Sequence, residues 1–252
     1  MYPELAGKHA LVTGATRGFG RAIAQRLAAE GATVVVNFRR SKTEAEQVAA
    51  EIEGAGGRAL VLRADVGKPE SLDEMFDAIR RELGRLDIVV ANAAFGVPGP
   101  VLEATTKHWD VTLAASARSL LELAQRAVPL MQAGWGRIIS ISSEGGQKVI
   151  PGYGVVGVAK AALEAVTRAL AFELAPKGIT VNGVIAGIAE TKSLWSIPGA
   201  AQMLREARDH TPAGRIITPE DVANAVAFLA SNQASMICGH FIVVDGGRSI
   251  VA

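Results

Sequence analysis

Short apolar runs alternate with longer amphipathic stretches along the whole chain. The runs "KHALVTG" (8–14), "TVVVNF" (33–38), "RALVLRADV" (58–66), "LDIVVANAA" (86–94), "GRIISISS" (136–143), "GITVNGVIAG" (178–187) and "GHFIVVDGG" (239–247) each predict a strand. Between them the pattern predicts helices over 21–31, 41–57, 68–84, about 103–132, about 152–175 and 219–231. The stretch 68–84 carries Pro69 and acids early and arginines late, which suits the helix dipole. Residues 188–217 read as irregular, with Pro198, Gly199, Pro212 and Gly214 around a short helical patch. The Val/Ile runs are continuous and not alternating, so the strands are expected to be buried on both faces. The architecture implied is α/β: a Rossmann-type, doubly wound parallel sheet of seven strands with helices on both faces, formed by residues 1–252 as one domain. The ligand crevice of such a fold lies beyond the carboxyl ends of the strands.

Composition narrows the function classes. The chain has 252 residues, 49% of them hydrophobic, enough for one sizeable core. A net charge of +1 gives no field for nucleic acid, and none is expected as a partner. Cys238 is the only cysteine, so no internal disulfide forms and a reducing compartment fits; it reads as a small core residue. No run reaches the roughly 18 apolar residues of a membrane span, and "MYPELAGKHALVTG" lacks a cleavage pattern, so a cytoplasmic protein is expected. His9, His108, His210 and His240 are scattered without ligand spacing, which predicts no metal site. Glu144 reads as a solvated loop carboxylate.

Chemistry enters at the first strand-to-helix turn. In "TGATRGFGRAIA" (13–24), Gly14, Gly18 and Gly20 stand between the first strand and the first helix. Such a turn allows close approach of a pyrophosphate and offers it free amides at a helix N-terminus. The second strand runs into "NFRRSK", with no acid to hold a ribose 2′-hydroxyl. Arg39 and Arg40 instead present forked donors to a 2′-phosphate, and Arg17 in the loop adds a cation, so NADPH is the expected cofactor. Asp65 ends the third strand as a candidate acceptor for the adenine amine, and Asn92 ends the fourth. The stretch "YGVVGVAK" (153–160) places Tyr153 seven residues before Lys160 near the start of a helix.

Taken together, "TGATRGFG", "ADV", "NAA", "GRIISISS", the Tyr…Lys helix, "GITVNGV" and "VDGG" resemble the short-chain dehydrogenase/reductase superfamily over nearly the whole chain. Most of that superfamily places Tyr four residues before Lys, where this chain has Val156. The Tyr-x6-Lys spacing resembles the enoyl-acyl-carrier-protein reductases, and the context most resembles their NADPH-dependent third bacterial type. The resemblance implies Tyr153 and Lys160 as catalytic residues, with possible support from Ser143 and Ser116. It implies a cofactor site of Gly14, Thr16, Arg17, Gly18, Phe19, Gly20, Arg39, Arg40, Asp65, Val66, Asn92, Ala93, Lys160, Gly187 and Thr191. It also implies a homo-oligomer, a tetramer or dimer.

The displaced tyrosine has a chemical reading. In an enoyl thioester, hydride arrives at C3 while charge develops on the C1 oxygen, farther from the hydride than in a ketone. Residues seven apart on a helix share a face but lie roughly 10 Å apart along the axis, against roughly 6 Å for four apart. Lys160 is expected to bind the nicotinamide ribose and to favour tyrosinate character nearby; Tyr153 is expected to hydrogen-bond the thioester oxygen. Whether Tyr153 or water protonates the α-carbon stays open. The expected activity is NADPH-dependent reduction of trans-2-enoyl thioesters of acyl carrier protein or coenzyme A. The alternatives are a carbonyl reductase of β-ketoacyl thioesters or of a secondary-metabolite ketone, and a decayed dinucleotide-binding scaffold. Ser116, Ala186 and Val156, which replace usual superfamily residues, favour the last. The segment 188–217, with Leu194, Trp195, Ile197, Met203 and Leu204, reads as a substrate lid or a fixed surface flap.

Overall fold

The computed structural model describes residues 1–251. Seven strands form one sheet in the order β3-β2-β1-β4-β5-β6-β7, and every pairing is parallel. They are β1 (His9–Val12), β2 (Thr33–Phe38), β3 (Arg58–Arg63), β4 (Ile88–Ala91), β5 (Gly136–Ser143), β6 (Ile179–Ala186) and β7 (Phe241–Val244). The strand order reverses at β1, which pairs with β2 on one side and β4 on the other. A crevice opens at such a reversal because the connecting helices depart to opposite faces.

Side chains alternate across each strand and so build two cores. Val34 and Val36 of β2 join one, packed with α1 (Gly18–Ala29), α2 (Lys42–Gly54) and α8 (Pro219–Ala230). Val35 and Leu11 face the other way, toward α3 (Pro69–Leu83), α5 (Ser119–Ala127) and α6 (Gly154–Leu174). Leu27 and Leu120, each wholly buried, anchor opposite faces, and such burial stabilises by about 1.5–3 kcal/mol per side chain. The edge strands depart from the expectation of two-sided burial: β3 and β7 are half-exposed along their length. Only one neighbour flanks an edge strand, so its helices cannot cover it fully.

The helix expected over 103–132 is broken. It starts at Thr106, where the Thr105 hydroxyl accepts the His108 amide, and α4 (Thr106–Leu113) leads into one π-helical turn, Ala114–Arg118, before α5. Ser119 Oγ donates to the carbonyls of Ala115 (3.2 Å) and Ser116 (2.8 Å) inside the widened turn. An inserted residue of this kind leaves the apolar spacing nearly unchanged, so periodicity does not detect it. The segment 188–217 contains α7 (Ala200–His210) and a small apolar cluster of Leu194, Ala200 and Leu204 against Ile188, Ile197 and Ile216. No helix among the described residues is long and apolar enough to cross a membrane.

Candidate active site

The glycine turn has a shape that only glycine permits. Gly14 (φ +62°) and Gly18 (φ +52°) are left-handed, and a Cβ on Gly20 would sit 2.3 Å from the Gly14 carbonyl oxygen and 2.5 Å from Asn92 Nδ2. The backbone therefore lies bare at the start of α1, with Arg17 exposed at the N-cap and Thr16 and Phe19 beside it. The first-turn amides of α1 have no helical acceptor and are available to an anion.

Two buried polar side chains and the half-buried Asn92 hold this turn. Asn37 Oδ1 accepts the Gly14 amide (3.1 Å), while its Nδ2 donates to the Leu62 and Ala64 carbonyls (3.3 Å each). Thr13 Oγ1 accepts the amides of Asn92 (3.0 Å) and Ala93 (2.9 Å). Asn92 Nδ2 donates to the carbonyls of Thr13 (2.8 Å) and Gly14 (3.1 Å). Asn92 thus braces the loop from below. Thr13 and Asn37 were not legible as site residues, although a lone Asn inside a buried valine run is itself a signal that something must satisfy it.

Most of the other expected cofactor residues lie just beyond neighbouring strand ends. Thr191 lies over the turn, its methyl 3.5 Å from where a Cβ on Gly18 would be. Gly187 donates to the Val244 carbonyl (2.8 Å), and a side chain there would meet Asp245 at 2.8 Å. Ala93 Cα is 3.0 Å from the Cβ that Gly14 lacks. Val66 is buried in the second core. Arg39 reaches Asp65 (3.8 Å) and stands 5.3 Å from the centre of the Phe95 ring. A bare glycine cradle, a helix N-terminus and strand-end polar groups along one crevice fit a dinucleotide.

At the far end of the crevice stand the hydroxyls. Tyr153 is the N-cap of α6, and its backbone is already near-helical (φ −96°, ψ −10°), so the spacing along the helix holds. Its hydroxyl lies 3.1 Å from Ser143 Oγ at the end of β5. The ring packs where a Cβ on Gly145 would be, at 2.4 Å. Val156, one turn on, packs against Gly96, and its Cγ2 would be 2.6 Å from a Cβ there. Lys160 is 7% exposed and donates to the Ile141 carbonyl at 2.7 Å. Ser116 is buried in the π turn that packs against α6.

Charges at this end follow from burial. Burial drives the Lys160 ammonium down to about 8 from 10.5, opposed by the negative charge of Glu164. Burial raises the Tyr153 phenol, and the Ser143 hydrogen bond only partly offsets that. The Tyr153 hydroxyl is turned to Ser143, and Lys160 is tied to the β5 backbone. Glu164 itself is buried and accepts from Ser142 Oγ (2.6 Å) beneath the site. Glu144 is also not the solvated carboxylate expected: it is 4% exposed, held by Lys148 (2.8 Å) and Arg248 (3.1 Å), because the C-terminal segment folds back beside it. Cys238 is partly buried near the Ala171 carbonyl (3.7 Å). No cluster of metal-ligating side chains occurs among the described residues.

A dinucleotide cradle leading to a buried lysine and paired hydroxyls defines an oxidoreductase that uses a nicotinamide dinucleotide. Residues 14–249 match the family model described as enoyl-(acyl carrier protein) reductase, and the chain belongs to this family of short-chain dehydrogenases/reductases. It is 40% identical over 245 residues to a 1-cyclohexenylcarbonyl-CoA reductase of Streptomyces collinus, covering 96% of this chain and 87% of that one. It is 37% identical to an enoyl-acyl-carrier-protein reductase (NADH) of Synechocystis sp., covering 98% of each. The solved structure of the angucycline C-6 ketoreductase LanV with bound NADP superposes with a TM-score of 0.90 at 36% identity, covering 98% of this chain and 97% of that one. The relatives thus include reducers of both C=C and C=O bonds.

Proposed function

We propose that the protein reduces the C=C bond of trans-2-enoyl thioesters, carried on acyl carrier protein or coenzyme A, with NADPH as the electron source. The observation that carries this reading is the placement of the phenol: Tyr153 caps α6, seven residues before Lys160, while Val156 stands in the apolar contact with Gly96 at the position four before it. An acceptor oxygen remote from the hydride-receiving carbon suits a donor moved about one helical turn away. The two enoyl-thioester reductases among the relatives support it. Arg40, with no acid at the end of β2, supports NADPH over NADH.

When bound, the dinucleotide supplies a hydride. The residues of the chain do the rest. Gly14, Gly18 and Gly20 admit the pyrophosphate to the α1 amides. Lys160, fixed on the Ile141 carbonyl, orients the ribose hydroxyls beside it. Tyr153, whose phenol burial raises further, donates a hydrogen bond to the thioester oxygen and stabilises the enolate as charge develops there. Ser143 holds the phenol in that direction. The 188–217 segment, with its own apolar cluster, is the candidate cover for the acyl chain.

A second reading, carbonyl reduction, is favoured by one contact: two hydroxyls 3.1 Å apart, Ser143 and Tyr153, can hold a single carbonyl oxygen between them. The test follows nicotinamide absorbance with a short trans-2-enoyl thioester and its β-ketoacyl counterpart side by side. Turnover of the enoyl substrate alone, lost in Tyr153→Phe, is expected. Turnover of the ketone alone, abolished in Ser143→Ala, would overturn the first reading in favour of the second.

A further inference from the structure

Beyond the carboxyl ends of β2 and β3 lies a cavity of about 370 Å³ lined by Arg39, Arg40, Arg63, Lys68, Asp65 and Glu74. It sits one strand away from the glycine turn, since Ala15 donates to the Asn37 carbonyl of β2. The register explains its walls. Phe38 pairs with Arg63, so the residue after Phe38 meets the end of β3, and Arg63 Nε donates to the Arg39 carbonyl (3.2 Å). Lys68 stands opposite, as the N-cap residue of α3.

The four cations are not equivalent. Arg39 is engaged: its guanidinium is 3.8 Å from Asp65 and lies over Phe95. Among the described residues, no carboxylate lies within ion-pairing distance of Arg40, Arg63 or Lys68. Arg63 uses only its Nε on the backbone, which leaves both terminal nitrogens of a fixed fork for another acceptor. Three uncommitted cations around one small cavity favour a dianion there.

Building on the NADPH reading above, we infer a division of labour: Arg63 and Lys68, with Arg40, grip the 2′-phosphate of the dinucleotide, while Arg39, braced between Phe95 and Asp65, packs against the adenine. Arg63 and Lys68 are then specificity-determining residues supplied by β3 and by the cap of α3, in addition to Arg40 after β2. Phosphate has acceptor oxygens enough for a fork and an ammonium at once, whereas a 2′-hydroxyl gives them little to hold.

The two roles separate in binding. Adenosine 2′,5′-bisphosphate and adenosine 5′-monophosphate differ only in the 2′-phosphate, and calorimetry on the full chain yields the affinity ratio. The wild type is expected to prefer the bisphosphate by about a hundredfold or more. Arg63→Ala/Lys68→Ala is expected to cut that ratio by about tenfold or more while leaving monophosphate affinity unchanged. Arg39→Ala is expected to weaken both ligands alike. All three side chains are at least partly exposed, so folding is not at stake, and unchanged circular dichroism checks that. A wild type that discriminates while the double variant keeps the full ratio would overturn the assignment of Arg63 and Lys68. A ratio lost in Arg39→Ala instead would overturn the division of labour. A wild type with no preference would overturn the NADPH reading itself, and this inference with it.

Discussion

Replacing Lys160 by Met is expected to make the protein more stable and inactive. The ammonium is 7% exposed, and its drop from 10.5 to about 8 corresponds to about 3 kcal/mol by which folding disfavours the charged form. Met fills similar space without the charge. The variant also gives up the bond to the Ile141 carbonyl, which takes back about 1–2 kcal/mol; the attraction of Glu164 is already contained in the net drop. A net gain of about 1–2 kcal/mol remains, seen as a higher urea midpoint with an unchanged slope. The sign with pH is fixed. Between about 8 and 10.5 the unfolded chain binds more protons at this lysine than the folded one, so wild-type stability from this group rises across that window. Below pH 8 the penalty is present in full. The advantage of the variant should therefore be largest near pH 7 and shrink toward pH 10. Urea titrations of both proteins at pH 7, 8.5 and 10, together with turnover at pH 7, make the measurement. A variant less stable than the wild type at pH 7, or an advantage that grows with pH, would refute the reasoning.

Tyr153→Phe should keep the fold and dinucleotide affinity while lowering kcat by about 10²–10⁴-fold, the usual worth of a positioned proton or hydrogen-bond donor, as single-turnover kinetics would show. Gly20→Ala should abolish dinucleotide binding, because the added methyl meets the Gly14 backbone at 2.3 Å and forces the turn apart; retained affinity in calorimetry would contradict the cradle. Asn37→Ala should destabilise the chain by about 1–3 kcal/mol and loosen the turn, since it orphans the Gly14 amide and two strand-end carbonyls, a loss that urea unfolding would register.

The sequence by itself determined the layers, and the reason is periodicity. Seven valine- and isoleucine-rich runs separated by amphipathic stretches can bury their apolar surface only as a parallel sheet between helices, and Val34, Val35 and Val36 now divide between two cores as that requires. The glycine turn was legible for a local reason: close backbone approach and left-handed φ need glycine wherever the chain goes afterwards. Tyr153 and Lys160 stood out as a pair because one caps α6 and the other lies along it, where spacing sets distance. What stayed hidden depends on residues distant along the chain. Glu144 becomes buried only because Arg248 returns to it, and Asn37 becomes a clamp only because β2 lies beside the glycine turn. The π turn at Ser116 changes helical phase without changing the apolar pattern. Arg63 and Lys68 join Arg40 only through the β2–β3 register. Shifts in side-chain titration also belong to the tertiary structure: Lys160 is lowered to about 8, and the Tyr153 phenol raised, by how much water the packed sheet and α6 exclude, a quantity that no local spacing contains.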